Sequence, residues 1–150
     1  MSSTKRIIDC NIPLIPDELK GATLRQGVHH SLQVHQGKFT WRLGEIKLLF
    51  PGGKSKLRYF NFSSVSGYVR QRGRLPLHVN VLDYLLIPES NILIPKGAFG
   101  RKIVFPDTIY VRNNIRYMRY LSAYEYSDKV YGGVLELHGC YRTPLCVLCI

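Results

Sequence analysis

Phe39-Thr40-Trp41-Arg42-Leu43, then Ile46-Lys47-Leu48-Leu49-Phe50, Pro51-Gly52-Gly53-Lys54 and Leu57-Arg58-Tyr59-Phe60-Asn61-Phe62 form the stretch on which the fold turns. Phe39, Trp41 and Leu43 share one face at a period of two, and Ile46, Leu48 and Phe50 share the next. The phase slips by one residue around Gly44-Glu45, which predicts a bulge. Pro51-Gly52-Gly53-Lys54 predicts a turn and residues 57–62 a returning strand, so the stretch reads as a β-hairpin.

Upstream, Leu32 and Val34 alternate with Gln33 and His35, again as in a strand. Residues 1–27 read as irregular. Pro13 and Pro16 push their predecessors towards extended backbone, and Asp17-Glu18-Leu19-Lys20 predicts a single helical turn ended by Gly21.

Downstream, residues 63–72 predict a short helix. Ser63 or Ser64 would cap it, Val65, Tyr68 and Val69 would face inward, and Gly73 would end it. Leu77, Val79 and Val81 alternate like a strand, whereas Val81, Leu82, Leu85 and Leu86 repeat like a helix, which is expected to run up to Pro88. Residues 92–94, 102–105 and 108–112 read as short extended pieces between Pro and Gly breaks. Ile115, Met118 and Leu121 give residues 112–126 a helical spacing. Residues 130–142 predict a strand containing Gly132-Gly133, and residues 145–150 an apolar terminal strand. The expected architecture is one compact α+β domain over residues 28–150, mainly antiparallel sheet with two or three short helices.

A chain of 150 residues that is 45% hydrophobic and 21% charged has the size and composition of one globular domain, not of a disordered tail. Its charge is uneven. No acidic residue lies between Glu45 and Asp83, a window that holds Lys47, Lys54, Lys56, Arg58, Arg70, Arg72 and Arg74. With a formal net charge of +11, the chain favours a polyanionic partner. Three clusters are candidate polyanion-binding residues. Lys54, Lys56 and Arg58 share one face of a strand, Arg70, Arg72 and Arg74 follow the short helix, and Arg112, Arg116 and Arg119 share one face if their segment is helical. Tyr59, Phe60 and Tyr68 stand beside these cations as candidates for stacking on bases, although aromatic residues of the returning strand equally suit a core.

No catalytic constellation emerges. His29, His30, His35, His78 and His138 do not form a His-Glu-x-x-His motif or a pair of His-x-Ser/Thr motifs. Gly-x-x-x-x-Gly-Lys-Ser/Thr is also absent. Cys146-Val147-Leu148-Cys149, with His138 and Cys140 near it in sequence, would allow a zinc site. The simpler reading is buried thiols in a terminal strand. No cofactor and no small-molecule substrate are indicated. The polar start of the chain predicts no secretion signal, and no apolar run reaches the roughly 20 residues of a membrane-spanning helix.

The order of segments at residues 39–50, 63–72, 79–87 and 88–106, and the late run Val130-Tyr131-Gly132-Gly133-Val134-Leu135-Glu136-Leu137-His138, resembles the matrix proteins of negative-strand RNA viruses, especially the rhabdovirus type. The resemblance covers residues 30–142 and is one of pattern and composition, without a signature motif. A Pro-Pro-x-Tyr motif and a long Lys-rich N-terminal arm, found in such proteins, are absent here. It implies a small basic virion protein, peripheral to membrane in the host cytoplasm. Such a protein self-associates, coats an anionic membrane surface and condenses a nucleocapsid. The alternative from charge alone is a soluble RNA- or DNA-binding viral protein of coat, movement or silencing-suppressor type.

Overall fold

The computed structural model describes residues 7–10, 12–25, 38–40, 46–51, 59–61, 65–88, 90, 93–124, 129–137, 140–142 and 145–150, with backbone alone at residues 7, 38–40, 59–61 and 140–142. Eleven strands are present among them: β1 (Ile7–Asp9), β2 (Thr23–Leu24), β3 (Lys38–Thr40), β4 (Lys47–Leu49), β5 (Tyr59–Asn61), β6 (Lys102–Val104), β7 (Tyr110–Arg112), β8 (Ile115–Ala123), β9 (Val130–Glu136), β10 (Cys140–Arg142) and β11 (Leu145–Cys149). Two helices, α1 (Val65–Gln71) and α2 (Asn80–Leu85), lie between β5 and β6. The class is α+β in a single domain, with strands dominant.

Seven strands form a mixed sheet in the order β2-β7-β8-β6-β11-β4, with β9 also paired to β8. Long β8 serves three partners. β7 meets Ile115–Tyr117, β6 meets Tyr120–Ser122, and β9 meets Tyr117–Ala123, all antiparallel. β11 runs parallel to β6 and antiparallel to β4. Beyond the end of β6, residues 75–77 continue along β11. Leu75 and Ile150 exchange both backbone hydrogen bonds, at 2.9 and 3.0 Å.

Every residue of β11 is buried, as its unbroken apolar composition requires of a strand covered on both faces. Cys146 and Leu148 face Leu82, Leu85, Ile103 and Leu121 on the side of α2. Leu145, Val147 and Cys149 face Val65, Val69, Val104 and Met118 on the side of α1. The sheet is thus sandwiched between two short helices, with a core on each side.

Both helices fall where the sequence predicts them. Val65 and Val69 are buried, and α1 closes as a Schellman motif: Gly73 has φ 69°, its N–H bonds to the Arg70 carbonyl, and the Arg74 N–H bonds to the Val69 carbonyl. The predicted turn at Asp17–Leu19 is a 3-10 turn, and Gly21 follows it at φ 85°.

Three expectations are corrected. First, β4 and β5 do not pair as a hairpin. β4 pairs with β11 (Leu49↔Val147) and β5 with β10 (Phe60↔Tyr141), while residues 52–58 lie outside the described part. Pairing with β11 lets β4 bury Leu48 on one core and Leu49 on the other, which a local hairpin would not. Second, the segment expected to be helical holds β7 up to Arg112 and β8 over Ile115–Ala123 instead, and residues 125 and 126 lie outside the described part. A strand buries Leu121 on one face and Met118 on the other, while Ile115 at its start stays exposed. Third, Leu93 sits in a turn, its N–H bonded to the Ser90 carbonyl, and not in an extended piece.

The region read as irregular contributes β1 and β2. The expected strand at residues 32–35 and the bulge at residues 44–45 lie outside the described residues.

The extended arm after β1 is held by two side chains, Asn80 and Tyr110. Asn80, 5% exposed, donates to the carbonyls of Asp9 and Ile12 at 2.9 Å each and accepts from the Leu14 N–H at 2.8 Å. The Tyr110 hydroxyl donates to the Leu14 carbonyl at 2.6 Å. With its backbone groups turned inward, the arm presents Ile12, Leu14 and Ile15 to solvent.

Candidate polyanion-binding surface

Of the nine cations expected to meet a polyanion, six are among the described residues, and two of these pair with carboxylates. Arg119 is 5% exposed and pairs with Asp83 on α2 through two bonds, Nη1 to Oδ2 and Nη2 to Oδ1, each 2.9 Å. It forms part of the helix–sheet joint, which corrects its expected surface role. Burial disfavours its charge, but the hydrogen bonds and charge of Asp83 outweigh this, and its pKa lies above that of a free arginine. Arg70 donates to Asp107 at 2.7 Å, and Ser66 donates to the other oxygen of that carboxylate at 2.5 Å. The Asp107 side chain is 2% exposed, so this triad anchors α1 to the loop between β6 and β7.

Arg112, Arg116 and Arg119 do not share a face. Arg116 and Arg119 are three apart on one strand and therefore point to opposite sides of the sheet. Arg112, on β7, donates to the Glu18 carbonyl at 2.8 Å and lies over the Tyr117 ring. Arg116 is exposed.

The end of α1 is different. Arg72 is exposed, donates to the Tyr68 carbonyl at 3.1 Å, and holds its guanidinium carbon 3.4 Å from the Tyr68 ring centroid. The Tyr68 hydroxyl in turn bonds to the carbonyl of Phe50, just past β4. Cys149 lies opposite both Lys47 of β4 and Pro76, and residues opposite one another in a ladder share a face. Lys47 and, two residues before Pro76, Arg74 therefore fall on the α1 side of the sheet. Arg74 is close enough for its charge to act on the Cys149 thiol. Lys47 and Arg74 thus lie on the face of the sheet that α1 covers, and Arg72 is exposed over Tyr68 at the end of α1.

Arg72 covers one face of the Tyr68 ring, so the outward stacking plane at this point is the guanidinium rather than the phenol. Lys54, Lys56 and Arg58 lie outside the described residues, as do the side chains of Tyr59 and Phe60. Lys47 is absent from the sequence-based clusters. A lone lysine in an apolar strand gives no cluster signal, and the pairing of β4 with β11 is what brings it here.

Cys146 and Cys149 do not chelate together, and His138 and the Cys140 side chain lie outside the described residues. Cys146 and Cys149 are both buried, but three residues apart on β11 they face opposite cores. Burial pushes the Cys146 thiol up to about 12 and that of Cys149 to about 11, the latter partly offset by Arg74. No group of three or more metal-ligating side chains occurs among the described residues. No described helix is long and apolar enough to cross a membrane. In comparisons with protein-family models, curated proteins and solved structures, nothing matches the chain.

Proposed function

We propose that the chain is a non-enzymatic, basic structural protein of viral matrix type that self-associates and bridges an anionic membrane surface and ribonucleoprotein. The observation that carries this reading is that Lys47 and Arg74 lie on the α1 face of the sheet, where Arg72 is exposed at the end of α1, while Asp107, which contacts α1, is buried and engaged by Arg70 and Ser66. The two ion pairs seen among the described residues remove equal numbers of cations and acids and leave the excess of +11 unchanged. Phosphate groups of lipid or RNA are the common ligand chemistry, and Arg72 is already held at fixed geometry by its own helix.

The Arg72–Tyr68 stack favours a second reading, a soluble nucleic-acid binder, because a guanidinium plane held on an aromatic ring is a platform for an unpaired base. The surface is tested by replacing Lys47, Arg72 and Arg74 together with alanine and measuring RNA affinity against salt concentration. Three lost phosphate contacts lower the log–log slope for a single strand by about 2. An unchanged slope would move the contact elsewhere.

A further inference from the structure

We infer that β9 is the self-association edge, and that two copies join by antiparallel pairing of β9 with β9 about a two-fold axis at Gly132. The inference borrows from the matrix-type reading the expectation that copies meet. The surface itself is argued from the ladder.

Leu137 N–H donates to the Arg116 carbonyl at 2.8 Å, continuing the register that sets Glu136 opposite Tyr117. Hydrogen bonding in an antiparallel ladder alternates, so Tyr131, Gly133 and Leu135 bond inward to β8. Val130, Gly132 and Val134 therefore direct their N–H and C=O groups to the outer edge. Among the described residues, β8 is the one ladder partner of β9. Gly132 is exposed even though a Cβ there would touch Leu86 of the α2 side at 3.3 Å, so its exposure is on the outer edge and not above the sheet.

The run Val130–Leu135 has no charge and no proline, the usual devices that keep sheet edges apart. It is also self-complementary. With Gly132 opposite Gly132 of the second copy, Val130 faces Val134 and Val134 faces Val130, giving three pairs with two hydrogen bonds each. In this register Tyr131 lies opposite Gly133 of the second copy, twice over. Tyr131 is 49% exposed, and its ring already meets Tyr124 edge-on at 6.2 Å. Gly133 has no side chain, and the position its Cβ would take is covered by the Tyr120 ring. Each exposed tyrosine thus meets a glycine floored by another aromatic ring, an arrangement that stabilises glycines at strand edges.

The test uses the full chain without lipid or RNA, so its failure leaves the polyanion reading standing. Sedimentation velocity over a concentration series should show a mass that doubles. Tyr131→Lys and Tyr131→Glu each place like charges at diagonal positions about 7 Å apart across the axis, and each alone should raise the dissociation constant roughly tenfold or more. Mixing the two variants should restore the dimer. Amide exchange followed by NMR should show Val130, Gly132 and Val134 becoming protected as the wild type associates. A wild type that stays monomeric, a dimer indifferent to the charge at residue 131, or edge amides that exchange at the same rate at every concentration would each overturn the assignment.

Discussion

Arg119 of β8 and Asp83 of α2 meet through two parallel hydrogen bonds of 2.9 Å at the interface of sheet and helix. The pair is asymmetric in exposure, with side chains 6% and 31% accessible, respectively. Removing the carboxylate would strand a buried guanidinium, whereas removing the arginine would leave a carboxylate that water can reach. We expect Asp83→Ala to destabilise the fold by about 3 kcal/mol, and Arg119→Met by clearly less. Chemical denaturation of the two variants checks the order, and equal losses would contradict it.

Asn80 ties the arm between β1 and β2 to the body. Asn80→Asp keeps the acceptor for Leu14 but loses both donors to Asp9 and Ile12, and it buries a charge. The near-isosteric change should therefore cost as much as Asn80→Ala, about 2–3 kcal/mol. It should also speed tryptic cleavage at Lys20. Cleavage at the wild-type rate would mean that the arm is held by other contacts.

A Cβ at Gly133 would lie 2.5 Å from the Tyr120 ring. Gly133→Ala should destabilise by about 1–3 kcal/mol through overpacking. In a Tyr120→Ala background the same change should lose most of that penalty, a coupling readable in a double-mutant cycle. Additive effects would show that the ring moves aside without strain.

Three buried groups set the response to alkali. Burial raises Tyr110 from 10.0 to about 12, partly offset by the nearby Arg119, and it raises Cys146 and Cys149 from 9.0 to about 12 and about 11. Each folded pKa lies above its unfolded value. The stabilisation is therefore complete below pH 9 and is lost as pH rises towards 12, because the unfolded chain releases these protons first. Stability should fall between those limits at about 1.4 kcal/mol per pH unit for each group in its window. Denaturant titrations at pH 8, 10 and 11 check the slope, and a flat profile would contradict the burial of these groups.

The two helices and most strands were legible in the sequence because each has a local signature. Gly73 ends α1 by its positive φ, Pro88 bounds α2, and the apolar run of β11 reads as a terminal strand. Pairing was not legible. The run Pro51-Gly52-Gly53-Lys54 predicts a hairpin turn, but the demand of β11 for apolar neighbours, a non-local effect, decided where β4 went. β8 was misread for a different reason. Its spacing of Ile115, Met118 and Leu121 fits a helix as well as a strand buried on both faces, and periodicity alone does not separate the two. The basic surface was legible as charge but not as geometry. Arg119 and Arg70 look like their neighbours in sequence, and their acids, Asp83 and Asp107, lie 36 and 37 residues away.

The central claim, that the excess positive charge serves to hold anionic surfaces together, is tested most directly by co-sedimentation with phosphatidylserine vesicles in the presence and absence of RNA. The account predicts that the protein pellets with the vesicles at low salt, carries RNA down with it, and loses both on alanine replacement of Lys47, Arg72 and Arg74. Protein that stays in the supernatant with vesicles while binding RNA tightly would contradict the matrix-type reading and leave the nucleic-acid reading in its place.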